Sequence, residues 1–156
     1  MHCAKGHCLC RSITFEYRAP PNWVAHCHCE SCRRATSSPI TTWISVPRAA
    51  FRFTQGEPRY FRSSEGVRRG FCATCGSPLT YENELIPEEI HLYAASLAEP
   101  GSVSPTRHVF AEEQLPWFEI EDELQIIALE ENASMHVNKR LRVLLAKEAR
   151  DETGKP

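Results

Sequence analysis

Short runs rich in apolar, β-branched and aromatic residues recur along the chain at 12–18, 39–46, 51–54, 59–62, 78–81 and 89–94. Between and after them stand turn-forming clusters: Pro20-Pro21, Gly56-Glu57-Pro58, Ser63-Ser64-Glu65-Gly66 and Glu99-Pro100-Gly101. Strand-length runs punctuated this often predict a mainly β fold, a complex and mostly antiparallel sheet. The pattern changes from Asn132 onward. Val137, Leu141, Leu144 and Leu145 recur at helical spacing, with Lys139, Arg140, Arg142, Lys147 and Arg150 on other faces. That periodicity predicts a C-terminal helix over 133–150, with 151–156 as a frayed end. The basic face of the helix is offset by a nearby acidic stretch that includes Glu112, Glu113, Glu119, Glu121, Asp122, Glu123, Glu130 and Glu131. It reads as a solvated face or a dimer contact, so a homo-oligomer stays open.

At 156 residues without internal repeats, the chain has the length of a single domain, 1–156. With 42% hydrophobic and 24% charged residues it has enough apolar side chains for a core without stapling. The formal net charge of −2 gives no electrostatic footprint for nucleic acid or an anionic membrane, and neither is expected as a partner. No apolar run approaches the roughly 20 residues that span a bilayer, and the first residues lack a signal-peptide core. The expected compartment is the cytoplasm. Thiols in a reducing compartment are more often metal ligands or catalytic groups than disulfides, which changes how the eight cysteines are read.

Seven of the eight fall into tight clusters: Cys8-x-Cys10, Cys27-x-Cys29-x-x-Cys32 and Cys72-x-x-Cys75. Short spacings aim thiols at a common centre, whereas disulfides usually join distant segments. Zinc takes four thiolates in a closed structural site, and two pairs from distant parts of the chain supply them: Cys8, Cys10, Cys72 and Cys75. Three protein ligands with one open position are the arrangement of a catalytic zinc, which assigns Cys27, Cys29 and Cys32 to the reacting metal. Two zinc ions per chain follow. The trio could instead be closed by His26, His28 or His108 and be purely structural. Cys3 reads as a free thiol, and His2 and His7 as surface imidazoles. Three thiolates outnumber the charge of a divalent zinc by one, so such a site is a weak acid toward water and suits thiol chemistry. A small thiol substrate bound as thiolate in the fourth position is the expected partner.

A further reading is a zinc nucleobase deaminase, since His28-Cys29-Glu30 fits H-x-E and Cys72-x-x-Cys75 supplies a C-x-x-C. Phe71 stands where that signature has proline, and Cys8, Cys10, Cys27 and Cys32 would have no task. Another is a non-catalytic zinc-stabilised β module that binds a protein partner. An enzyme needs the trio to keep an open corner facing a concave pocket, and a module would close or bury it.

The order Gly6-His7-Cys8-Leu9-Cys10, Cys27-His28-Cys29-Glu30-Ser31-Cys32-Arg33, Gly56 with Tyr60, Phe71-Cys72-Ala73-Thr74-Cys75-Gly76-Ser77-Pro78-Leu79, His108, and Pro116-Trp117 resembles the glutathione-dependent formaldehyde-activating enzyme family, which includes centromere protein V. The resemblance runs from Gly6 to Trp117. It implies a β fold with two zincs, partitioned as above. It also implies carbon–sulfur lyase chemistry, the reversible joining of formaldehyde and glutathione to S-(hydroxymethyl)glutathione. The chain departs from its relatives at several points. Arg11 and Ser37 stand where many carry glycine, Ala98 where Ser-Leu-Asp is frequent, and Phe110 where tryptophan is frequent. For the adduct hydroxyl proton, His28, His26 and Glu30 are the nearest titratable groups in sequence. Arg33, ahead of Arg34, is the candidate clamp for a substrate carboxylate. His108 is a candidate pocket residue, and Trp117 is expected in the core.

Overall fold

The computed structural model describes residues 3–127, so the predicted helix over 133–150 lies outside the described residues. Eleven strands and one short helix follow in chain order. They are β1 (Ala4–His7), β2 (Thr14–Tyr17), β3 (Trp23–Cys27), α1 (Glu30–Thr36), β4 (Thr41–Pro47), β5 (Phe51–Gln55), β6 (Arg59–Ser64), β7 (Val67–Phe71), β8 (Pro78–Asn83), β9 (Glu89–Tyr93), β10 (Arg107–Val109) and β11 (Gln125–Ile127). All six expected strands are present. β1, β3, β7, β10, β11 and α1 were not expected, because they are short or carry charged sequence such as Val67-Arg68-Arg69-Gly70-Phe71.

The strands form a three-stranded sheet, β1-β2-β5, and an eight-stranded sheet, β11-β10-β3-β4-β9-β8-β7-β6. Pairing is antiparallel as expected, except that β10 runs parallel to both β3 and β11. Side chains alternate across a strand, so each strand of the larger sheet feeds two different layers. Ile44 opposite Leu92, with Val46 opposite Ile90, joins Phe15, Tyr17 and Leu79 in one fully buried core. Trp43 opposite Tyr93 belongs to the second cluster, together with Ala25, Tyr81, Val109, Phe110 and the cysteines Cys27, Cys29 and Cys32. Burial on both faces gives β4 its near-continuous run of buried residues.

Three of the departures noted in the sequence fall on unusual backbone. Arg11 (φ 61°) and Ser37 (φ 51°) occupy the left-handed region, where glycine costs nothing and other residues are strained. Ser37 ends α1 there, its N–H donating to the Arg33 carbonyl. Phe110 shares this conformation at φ 56°. Among the described residues, no helix is long and apolar enough to cross a membrane.

Candidate metal centres and the cavity beside them

The turn after β1 carries Cys8 and Cys10, and the turn between β7 and β8 carries Cys72 and Cys75. Gly76, at φ 75°, lets the second turn curl back so that its N–H donates 2.8 Å to the Cys72 carbonyl. The four sulfurs lie within 4.8 Å of one another. Cys8 and Cys10 are 3.5 Å apart and Cys10 and Cys72 3.8 Å. A tetrahedron of bonds near 2.3 Å sets its sulfurs roughly 3.8 Å apart, so this donor set fits zinc. Two hydroxyls that sequence reasoning passed over support it. Ser12 Oγ lies 3.0 Å from Cys10 and 3.3 Å from Cys72. Ser77 Oγ lies 3.2 Å from Cys75 and accepts from the Leu9 N–H at 3.0 Å, tying the two turns together. The Ser77 hydrogen bond leads in drawing the Cys75 thiol down to about 5.

The end of β3 and the first turn of α1 place Cys27, Cys29 and Cys32 together, all buried, their sulfurs within 4.8 Å of one another. Among the described residues, no histidine or carboxylate joins the trio within that distance. Cys29 caps α1, its sulfur accepting from the Cys32 N–H at 3.4 Å. Hydrogen bonds from Cys27 and Cys29 pull the Cys32 thiol well below its ordinary value, and Arg69 and the Trp43 indole add to this. The bonds to Cys29 and Cys32, with burial, push Cys27 well above. Cys29 rises to about 12: its bond with Cys27 favours the thiolate, but Cys32 and burial outweigh it. The protein alone thus supports one thiolate here, and three need a cation at their centre. All eight cysteines are free, so neither cluster is a disulfide; Cys3 is a free thiol, as expected, and exposed.

The trio opens on a cavity of about 550 Å³. Arg69, unremarked in the sequence, lies in its wall, donating to Ser63 Oγ at 3.3 Å and to the Tyr93 hydroxyl at 3.4 Å, its guanidinium over the Tyr81 ring. Arg34 lines the cavity and Arg33 does not; Arg33 Nε donates 2.9 Å to the His28 carbonyl. The parallel register of β10 on β3 puts His108 beside His26. His108 does not line the cavity: it is buried, Nδ1 at 2.8 Å from His28 Nε2 and Nε2 at 3.1 Å from the Asp122 carboxylate. Burial, then the neighbouring His108, pushes His28 down to about 4, so it is neutral at physiological pH. His26 Nδ1 meets Thr42 Oγ1 at 2.9 Å, and the Glu30 carboxylate accepts from Arg34 at 2.8 Å. The expectation of a buried Trp117 is overturned. It is 71% exposed, on the loop after the turn 111–113, with the Phe118 ring edge-on to it at 6.3 Å.

Comparison with known proteins shows the fold and the family. A Schizosaccharomyces pombe protein described as an uncharacterized lyase is 30% identical over 77 residues, 49% of this chain. The chain covers only 56% of that curated relative's length. The crystal structure of a Rhodobacter sphaeroides protein superimposes with a TM-score of 0.53 at 23% identity, covering 65% of this chain and 91% of that one, which shows a shared fold. The model of the family described as glutathione-dependent formaldehyde-activating enzyme matches residues 3–113, a span that holds all eight cysteines, and the chain belongs to that family.

Proposed function

We propose that the protein is a carbon–sulfur lyase acting on the adduct of a thiol with a carbonyl compound, of the S-(hydroxymethyl)glutathione kind. Two zinc ions per chain complete it: a structural ion on Cys8, Cys10, Cys72 and Cys75, and a catalytic ion on Cys27, Cys29 and Cys32. The observation that carries the reading is the buried trio at the wall of a cavity with no histidine or carboxylate within 4.8 Å among the described residues. Zinc there supplies the charge that holds a sulfur ligand as thiolate at neutral pH.

The chain's own residues do the rest. The three cysteines leave one corner to an outside sulfur. Buried aromatic side chains, Trp43, Tyr81 and Tyr93 among them, keep water from the trio, which strengthens every electrostatic interaction there. Arg69 adds fixed positive charge beside Cys32. Arg34, exposed, is positioned to meet a substrate carboxylate. The hydroxyl proton of the adduct passes to solvent as the carbonyl forms. This arrangement favours an enzyme over a binding module, which has no use for an open trio beside a cavity.

Metal analysis with an exchange assay tests the reading. Purified protein is expected to hold two zincs and Cys29→Ser one. Proton NMR of formaldehyde with glutathione should show faster adduct exchange with wild type than with Cys29→Ser. Equal rates would remove the formaldehyde–glutathione pair as substrate, and a single zinc in wild type would remove the two-site partition.

A further inference from the structure

The cavity is more aromatic than a one-carbon adduct of glutathione, a polar molecule, requires. The cavity holds about 550 Å³, the size of sites that enclose drug-sized molecules. Seven Trp, Tyr and Phe rings line it, among them Trp23, Trp43, Phe61, Tyr81 and Tyr93. Trp43 and Tyr93 are tilted together with centroids 4.1 Å apart, and Tyr81 presents to Trp43 at 5.8 Å. His91 stacks on Tyr81 at 13° and meets Trp23 edge-on at 4.7 Å, its Nε2 held 3.1 Å from the Glu89 carboxylate.

Charge points the same way. A glutathione adduct brings two carboxylates and an ammonium. Arg34 and Arg69 can answer the carboxylates, but among the described residues no carboxylate lines the cavity to answer the ammonium. Phe61 completes the pattern. It sits on the edge strand β6, 64% exposed, yet contributes to the cavity lining. A large ring left in water beside a cavity gains burial only when a ligand covers it.

Resting on the lyase reading above, we infer that the adduct taken by this site carries an aromatic or similarly flat apolar group close to the C–S bond. In the reaction the C–S bond breaks and its electron pair stays on sulfur. The hydroxyl proton leaves to solvent and the carbon–oxygen double bond forms, so no oxidant or reductant is consumed. The flat group can enter on either partner, as an aromatic aldehyde joined to glutathione or as an aromatic thiol joined to formaldehyde. Both place a ring against the same walls.

Binding and turnover test this separately. Quenching of tryptophan fluorescence is read with two unreactive thioethers, S-benzylglutathione and S-methylglutathione. The benzyl compound is expected to bind at least about tenfold tighter, and Phe61→Ser, an exposed position that leaves the core intact, should cut that preference by about threefold. Exchange is then compared by NMR for phenylacetaldehyde with glutathione, benzyl mercaptan with formaldehyde, and formaldehyde with glutathione. One aromatic pair outrunning the last supports the inference and identifies which partner brings the ring. Equal binding of the two thioethers, or fastest exchange for formaldehyde with glutathione, overturns it and leaves the lyase reading standing. Absence of catalysed exchange for every pair, with the benzyl preference retained, overturns the lyase reading and leaves a binding site for aromatic groups.

Discussion

The two cysteine clusters should differ in what they do for stability, and the difference follows from the chain lengths they close. Cys10 and Cys72 meet across 62 residues of chain, joining the turn after β1 to the turn before β8. Cys27 and Cys32 are five residues apart on one continuous turn. A link removes conformational freedom from the unfolded chain in proportion to the logarithm of the loop it closes. For equal metal–thiolate bonding, the ratio of these loop lengths makes the distant link worth about 2 kcal/mol more. For a domain of 156 residues that is roughly 4–8 °C in melting temperature. Local packing does not reverse the order. Cys29 caps α1 through its sulfur, and serine is at least as good a capping residue, so Cys29→Ser keeps the helix start. The experiment is calorimetry on Cys72→Ser and Cys29→Ser, each shown by metal analysis to have lost one ion. Cys72→Ser should melt about 4–8 °C below Cys29→Ser. Equal melting temperatures, or the reverse order, would refute the assignment of a stitching ion to one cluster and a local ion to the other.

Arg11→Gly and Ser37→Gly relieve left-handed backbone, and each should raise stability by about 0.5–1 kcal/mol in urea unfolding. The Glu16 carboxylate, buried between Arg52 at 2.7 Å and Arg18 at 3.0 Å, is held by those guanidiniums below its ordinary value of 4.5. A depressed carboxylate stabilises above its unfolded value and loses that contribution as pH falls through the folded one. Glu16→Gln should therefore melt lower than wild type at pH 7, with the gap closing below 4.5 on acid titration; a gap that persists in acid would show that the ion pairs do not matter.

Seven cysteines in three tight spacings were enough to say which sulfurs gather, because local spacing dictates which of them can converge whatever the surrounding fold. The same locality made the six longer apolar runs legible as strands. It hid β7, whose Arg68 and Arg69 read as surface sequence although Arg69 turns inward toward Cys32. It also suggested Arg33 over Arg34, a choice that depends only on which way each residue faces from the short helix α1. His108 was visible as a residue of interest, but its partners His28 and Asp122 lie 80 and 14 residues away, and only the parallel pairing of β10 with β3 brings the first of them near.

What the chain's order of residues settled was which sulfurs gather into clusters and the mainly β class, both products of short-range pattern. What only folding decided was the wall opposite the buried cysteine trio. Trp23, Trp43, Phe61, Tyr81 and Tyr93 come from five different strands, and nothing in their spacing marks them as neighbours. They meet because sheet register, set by burying Ile44, Val46, Ile90 and Leu92 on one face, sends the alternate residues of the same strands to the other.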